Sequence, residues 1–133
     1  MLLLDTHAAI WLMDADPKLG SRAKKAIGDA IAKNEAVVSA ITFWEAALLV
    51  SKQRLTISRP LPLWRERILE MNIAELPMTG EIGILSVQLA DLHGDPADRL
   101  IAATCLVHNA TLLTADRRLL DWKGGLQMQD ARQ

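Results

Sequence analysis

The run LLLDTHAAIWLM at residues 2–13 decides the fold. Leu2, Leu3 and Leu4 form an apolar stretch with no polar alternation, as in a strand covered on both faces. At Asp5 the pattern changes, and Ala8, Ile10, Trp11 and Leu12 recur at helical spacing. A strand that passes straight into a helix is the first half of a strand–helix–strand unit.

The same alternation continues outward. After a turn at residues 16–20, Ala23, Ala26, Ile27, Ala30 and Ile31 fall on one helical face, leaving Arg22, Lys24, Lys25 and Asp29 to solvent. Val37 and Val38 mark a second strand within residues 35–40, and Thr42 opens a helix predicted over residues 43–52. Residues 52–62 are polar, basic and proline-punctuated, and read as an arm leading into a helix built on Leu61, Trp64, Ile68 and Met71. A strand is predicted at 73–76, a helix at 79–92 facing Ile82, Leu85 and Leu89 inward, and a break at 93–96. Residues 97–109 are apolar on most sides and predict a buried helix. A strand at 110–113, a helix at 116–122 and a last apolar run at 126–128 complete the chain. Short apolar strands between longer helices indicate an α/β fold with a mainly parallel sheet. Such sheets bind ligands beyond the carboxyl ends of their strands.

Composition narrows the chemistry. A chain of 133 residues, half of them hydrophobic and 23% charged, is expected to fold as one domain spanning 1–133. No apolar run reaches the ~18 residues of a membrane span, and the first residues lack a signal-peptide pattern, so a cytoplasmic protein is expected. The single Cys105 and the scattered His7, His93 and His108 offer no zinc-ligand spacing. With 15 basic and 16 acidic side chains, nucleic acid binding requires a local patch rather than the net charge.

The informative feature is a carboxylate at each of four turns: Asp5 after Leu2–Leu4, Glu45 just after the Val37 and Val38 run, Asp95 with Asp98 opening the buried helix, and Asp116 after Leu112 and Leu113. Right-handed crossovers in a parallel sheet bring these turns to one edge. One explanation is helix capping: residues 42–45 fit a capping box, residues 95–98 give an N-cap, an N1 proline and an acid at N3, and Thr114 or Asp116 can cap the last helix. The other is a cation site. Two carboxylates about 4 Å apart repel by roughly 4 kcal/mol at an effective dielectric near 20, so several together call for a cation. An oxygen-only set suits magnesium or manganese, and an ion so held activates water against a phosphodiester.

With these residues in place, the chain resembles the PIN-domain ribonucleases of the VapC toxin type. The resemblance rests on LLLDTH at 2–7, Ser39 with Trp44 and Glu45, DPADRLIAA at 95–103, and LTAD at 113–116. It implies a three-layer α/β/α sandwich around a mainly parallel sheet. It also implies a homodimer, an RNA substrate and a cognate antitoxin protein that blocks the site. Asp5, Glu45, Asp98 and Asp116 match the family's acidic quartet around one or two magnesium or manganese ions. Asp98 directly precedes RLIAA, the place of the third acid, which leaves Asp95 as an N-cap or outer neighbour; the opposite assignment stays open. By the same resemblance Asp5 and Asp98 are direct metal ligands, Asp116 is a second or water-mediated ligand, and Glu45 positions or deprotonates the attacking water.

Lys52, Arg54, Arg59, Arg65 and Arg67 form a basic stretch, with Arg54 and Arg59 the residues expected to hold RNA phosphates. Trp11, Trp44 and Trp64 read as core or dimer packing, and Arg99 as a structural ion pair. A receiver-like module or a haloacid-dehalogenase-type phosphatase needs a further acid beside the first strand, where this chain has Thr6 and His7. A non-catalytic binding module, its acids serving only as caps, is the remaining alternative.

Overall fold

The computed structural model describes residues 1–133. Strands β1 (Leu2–Leu4), β2 (Ala36–Ser39), β3 (Ala74–Leu76), β4 (Thr111–Thr114) and β5 (Met128–Asp130) form one sheet in the order β3-β2-β1-β4-β5. Every neighbouring pair is parallel. Around it lie α1 (Thr6–Met13), α2 (Ser21–Ala32), α3 (Ala40–Ser51), α4 (Leu61–Glu70), α5 (Gly80–Gln88), α6 (Pro96–His108) and α7 (Arg117–Leu120).

Strand periodicity divides the interior in two. Leu2, Leu4, Val38 and Leu113 point to one face and pack with Ala8, Trp11, Ile27, Trp64 and Ile68 from α1, α2 and α4. Leu3, Val37 and Leu112 point to the other and pack with Ile101, Ala102 and Cys105 of α6, Leu119 of α7, and Trp122. The result is the expected α/β/α sandwich. The central strand β1 lies between β2 and β4, so the chain leaves it on one side and later returns on the other. That reversal puts the ends of β1 and β4 at the crevice where doubly wound sheets bind ligands.

Several element boundaries differ from the sequence reading. Helix α3 starts at Ala40, and Ser39 caps it by accepting from the Ile41 amide at 3.1 Å. Thr42 is therefore inside the helix, fully buried, and accepts a hydrogen bond from Thr6 Oγ1 at 3.2 Å, so the capping box at 42–45 is not formed. Residues 52–62 are pinned rather than a free arm, because Leu55 and Ile57 pack against the first core. Strand β5 is shifted two residues on from the apolar run, beginning at the run's last residue, Met128, which pairs with Leu112.

Helix α5 ends at Gln88 instead of continuing to 92. Arg99 explains why. Its five N–H groups donate to the carbonyls of Ser86, Val87, Leu89, Leu92 and His93 at 2.7–3.3 Å. A guanidinium has five donors, and here all are used. The carbonyls at the end of α5 and in the following turn are satisfied by a side chain rather than by more helix. Arg99 is thus no ion-pair partner; it ties the α5–α6 connection to the first turn of α6.

Candidate active site

Helix α6 leads into β4, so its N-terminus lies at the same sheet edge as the ends of β1, β2 and β4. Four junctions meet there around a cavity of about 350 Å³, lined by Asp5, Glu45, Asp95, Asp98, Asp116, Arg118 and Arg132 among others. The carboxylates expected to converge do converge.

Three of these acids also cap helices, so the two readings of the junctions coexist. Asp5 Oδ1 accepts from the Ala8 amide at 2.8 Å, Asp95 Oδ1 from the Asp98 amide at 3.2 Å, and Asp116 Oδ1 from the Arg118 amide at 2.8 Å. Capping occupies one oxygen and fixes the carboxylate, leaving the second for other contacts. Asp5 Oδ2 takes the hydroxyl of Thr114, whose oxygen also accepts the Asp116 amide at 3.1 Å. Thr114 therefore links the ends of β1 and β4 through two of the acids. Glu45, on the second turn of α3, and Asp98, in the first turn of α6, cap nothing.

Asp98 is the hub. One oxygen each from Glu45, Asp95 and Asp98 lie within 4.8 Å of one another, and so do ligand atoms of His93, Asp98 and Asp116. Two full negative charges at that separation repel by roughly 3.5 kcal/mol at a dielectric near 20. Burial, reinforced by the charges of Asp95, Asp116 and Glu45, pushes the Asp98 carboxyl up to about 8. Asp116 is also partly buried, yet hydrogen bonds and charge from Arg118 bring it below the usual carboxylate range. Burial raises Asp5, against the hydrogen bonds from Thr114 and Ala8. It raises Glu45 as well, against the Thr6 hydroxyl. The cluster is short of positive charge, and protons fill part of the deficit.

The family model for the PIN domain matches residues 2–124. The chain belongs to the PIN domain family. Among curated proteins, ribonuclease VapC22 of Mycobacterium tuberculosis is 35% identical over 119 residues, covering 89% of this chain and 88% of that protein. Among solved structures, VapBC2 from Rickettsia felis bound to a promoter DNA fragment superposes with a TM-score of 0.69 at 18% identity, covering 96% of each chain. A toxin-antitoxin complex from Klebsiella pneumoniae gives 0.65 at 20% identity, covering 98% of each. At those identities the two structures bear on the PIN fold alone.

Within this PIN chain, Asp5 stands slightly apart from the other acids. It lines the cavity but belongs to neither close grouping, and both its oxygens already accept hydrogen bonds. Arg54 borders a neighbouring hollow with Trp44, Lys52, Glu45 and Asp95, whereas Arg59 is exposed on the surface and lines neither hollow. Arg65 leaves the basic stretch altogether: it pairs with Glu75 through Nε at 2.8 Å and Nη2 at 3.2 Å. Trp11 and Trp64 are buried as expected, but Trp44 is half exposed.

Three site residues were not singled out for chemistry from the sequence. His93 Nδ1 accepts from the Asp95 amide at 3.3 Å, which assigns the ring proton to Nε2. Nε2 is buried 3.2 Å from Asp98 Oδ2, too oblique for a hydrogen bond. In this tautomer His93 faces the cluster with a donor, while its ring stands close enough to Asp98 and Asp116 to be counted among the ligand atoms. Arg118 Nη2 lies 3.2 Å from Asp116 Oδ2 and 3.8 Å from Asp98 Oδ2. Arg132 donates to the Ala115 carbonyl at 2.6 Å and stacks over Trp11 at 5.4 Å. The sequence carried a hint only for His93, which stands two residues before the Asp95 cap.

Proposed function

We propose that this chain is a magnesium- or manganese-dependent endoribonuclease acting as the toxin of a toxin–antitoxin pair, and that residues 1–133 form its single PIN domain. One observation carries the reading: Asp5, Glu45, Asp98 and Asp116, from four separate junctions, line one cavity at the strand-order reversal. Capping does not account for the whole set, because Glu45 and Asp98 cap no helix yet lie in the same cavity as the capping acids.

The donor set fits a hard divalent ion, because it is dominated by carboxylate oxygens, with His93 the single nitrogen, and the separations call for positive charge. Asp98 and Asp116 would hold the ion, with Asp5 completing the site from the β1 side. Such an ion supplies a water of lowered pKa and charge stabilisation at a phosphoryl oxygen. Glu45, raised by burial and held on a rigid helix, receives the proton at its carboxylate. Thr114 orients Asp5, and the α6 first turn, fixed by Arg99, orients Asp98. Arg54, beside Glu45, follows the RNA backbone as it leaves the cavity, and Arg59 makes a more distant phosphate contact.

The ribonuclease relative supports RNA as the substrate, and the solved toxin-antitoxin neighbour supports an antitoxin partner. A homodimer is supported by exposed Ile84 and Val87 on α5 and Trp44 on α3, two helices that flank α6. No helix is long and apolar enough to cross a membrane, and an RNA substrate supports a cytoplasmic site of action.

The test is cleavage of total RNA by the purified chain with magnesium or manganese, with EDTA, and with Asp98→Asn and Glu45→Gln variants that melt as folded proteins. Cleavage that needs the ion and is lost in both variants is expected. Capping favours a second reading, a binding module without chemistry, because Asp5, Asp95 and Asp116 do cap helices. RNA or antitoxin binding unchanged by all acid substitutions, with no cleavage by the wild type, would establish it instead.

A further inference from the structure

Every partner of the Arg118 side chain is a carboxylate of the acid cluster. Nε lies 3.5 Å from Asp116 Oδ1, Nη2 3.2 Å from Asp116 Oδ2, and Nη2 3.8 Å from Asp98 Oδ2. These oxygens belong to two of the proposed metal ligands. The other arginine of the cavity is committed elsewhere: Arg132 is held by the Ala115 carbonyl and by Trp11. Arg118 is also 61% exposed, on a helix of four residues, so its guanidinium can leave the carboxylates without disturbing packing. Its backbone amide keeps the Asp116 cap whatever the side chain does.

We propose that Arg118 is a built-in counter-cation that holds Asp116 and Asp98 in the metal-free protein, yields them to the divalent ion, and then grips the RNA phosphate at the cavity rim. This rests on the metal-dependent reading above. A guanidinium and a divalent ion compete for the same lone pairs, so each weakens the other by the same factor. Once displaced, the planar fork has lost its two contacting carboxylates, and a phosphate matches it in geometry and charge. Arg118 thereby offsets part of the charge on these two acids until the ion takes its place.

The experiment uses the full chain and manganese at pH 7, with free ion read by electron paramagnetic resonance. RNA cleavage is measured separately in single turnover at saturating manganese. Arg118→Gln is expected to bind manganese about three- to tenfold more tightly, the gain from removing one or two exposed ion pairs. At saturating ion it is expected to cleave RNA at least ~10-fold more slowly, one charge-assisted phosphate contact being lost. Arg118→Lys should restore wild-type manganese affinity but only part of the cleavage rate, since an ammonium lacks the fork. Unchanged or weaker manganese binding by a normally melting Arg118→Gln protein overturns the counter-cation role. Undiminished cleavage at saturating manganese overturns the phosphate role. A wild type that binds no manganese brings down the metal reading itself, and this proposal with it.

Discussion

Asp98→Asn removes a carboxyl that its surroundings raise to about 8 and leaves the backbone contact to Asp95 in place. Below about pH 4 the group is protonated both folded and unfolded, so the two proteins should melt alike. Between pH 4 and 8 the unfolded chain releases that proton while the folded chain keeps it, so wild-type stability falls as pH rises. At pH 7 the unscreened ceiling is about 4 kcal/mol, at ~1.4 kcal/mol for each pH unit above 3.8. Solvent at the cavity mouth and the charge of Arg118 reduce this, and Asp116 shares the titration, which leaves roughly 1–2 kcal/mol. For a chain of this size that is about 4–8 °C. The assay is thermal unfolding of both proteins in EDTA at pH 4, 5.5, 7 and 8. Asp98→Asn should match the wild type at pH 4 and exceed it increasingly up to pH 8. Magnesium or manganese should then raise the wild type and leave the variant unmoved. A variant less stable at pH 7–8, or offset equally at every pH, refutes the crowding of charge at Asp98.

Asp5→Asn should retain helix α1, because asparagine caps as well as aspartate, yet lose cleavage; circular dichroism and an RNA gel separate the two. Arg99→Ala strips five carbonyls of their donor and should lower stability by about 3 kcal/mol or more in urea unfolding, and a loss under 1 kcal/mol would dismiss its bracing role. Arg54→Gln should reduce the slope of log binding constant against log salt for single-stranded RNA by about 0.7, and an unchanged slope removes it from the interface.

What could be read in advance divides by range. The strand–helix alternation and the acids at the junctions are local patterns, and they sufficed for the sheet, its two covered faces and the meeting of the carboxylates. Features set by distant partners were not readable. Helix α5 stops early because Arg99, eleven residues on, takes its carbonyls. Thr42 looked like a cap and is a buried link to Thr6 on another helix. Strand β5 takes its place from pairing with β4 rather than from its own apolar run. Arg118 and Arg132 are unremarkable surface arginines until the fold turns them toward the acids, and Arg65 is spent on Glu75, which only pairing of β3 beside β2 brings near.

Helices α1 and α6 start at the rim of the acid cavity. A helix start carries about half a positive charge in its exposed amides. The bare cavity therefore has an anionic lining set on an electropositive framework, and the lining dominates, so a polyanion is turned away. Once an ion cancels the lining, the framework is what an approaching strand meets. On the metal-dependent reading proposed above, this architecture favours the small cation arriving first and the nucleic acid second.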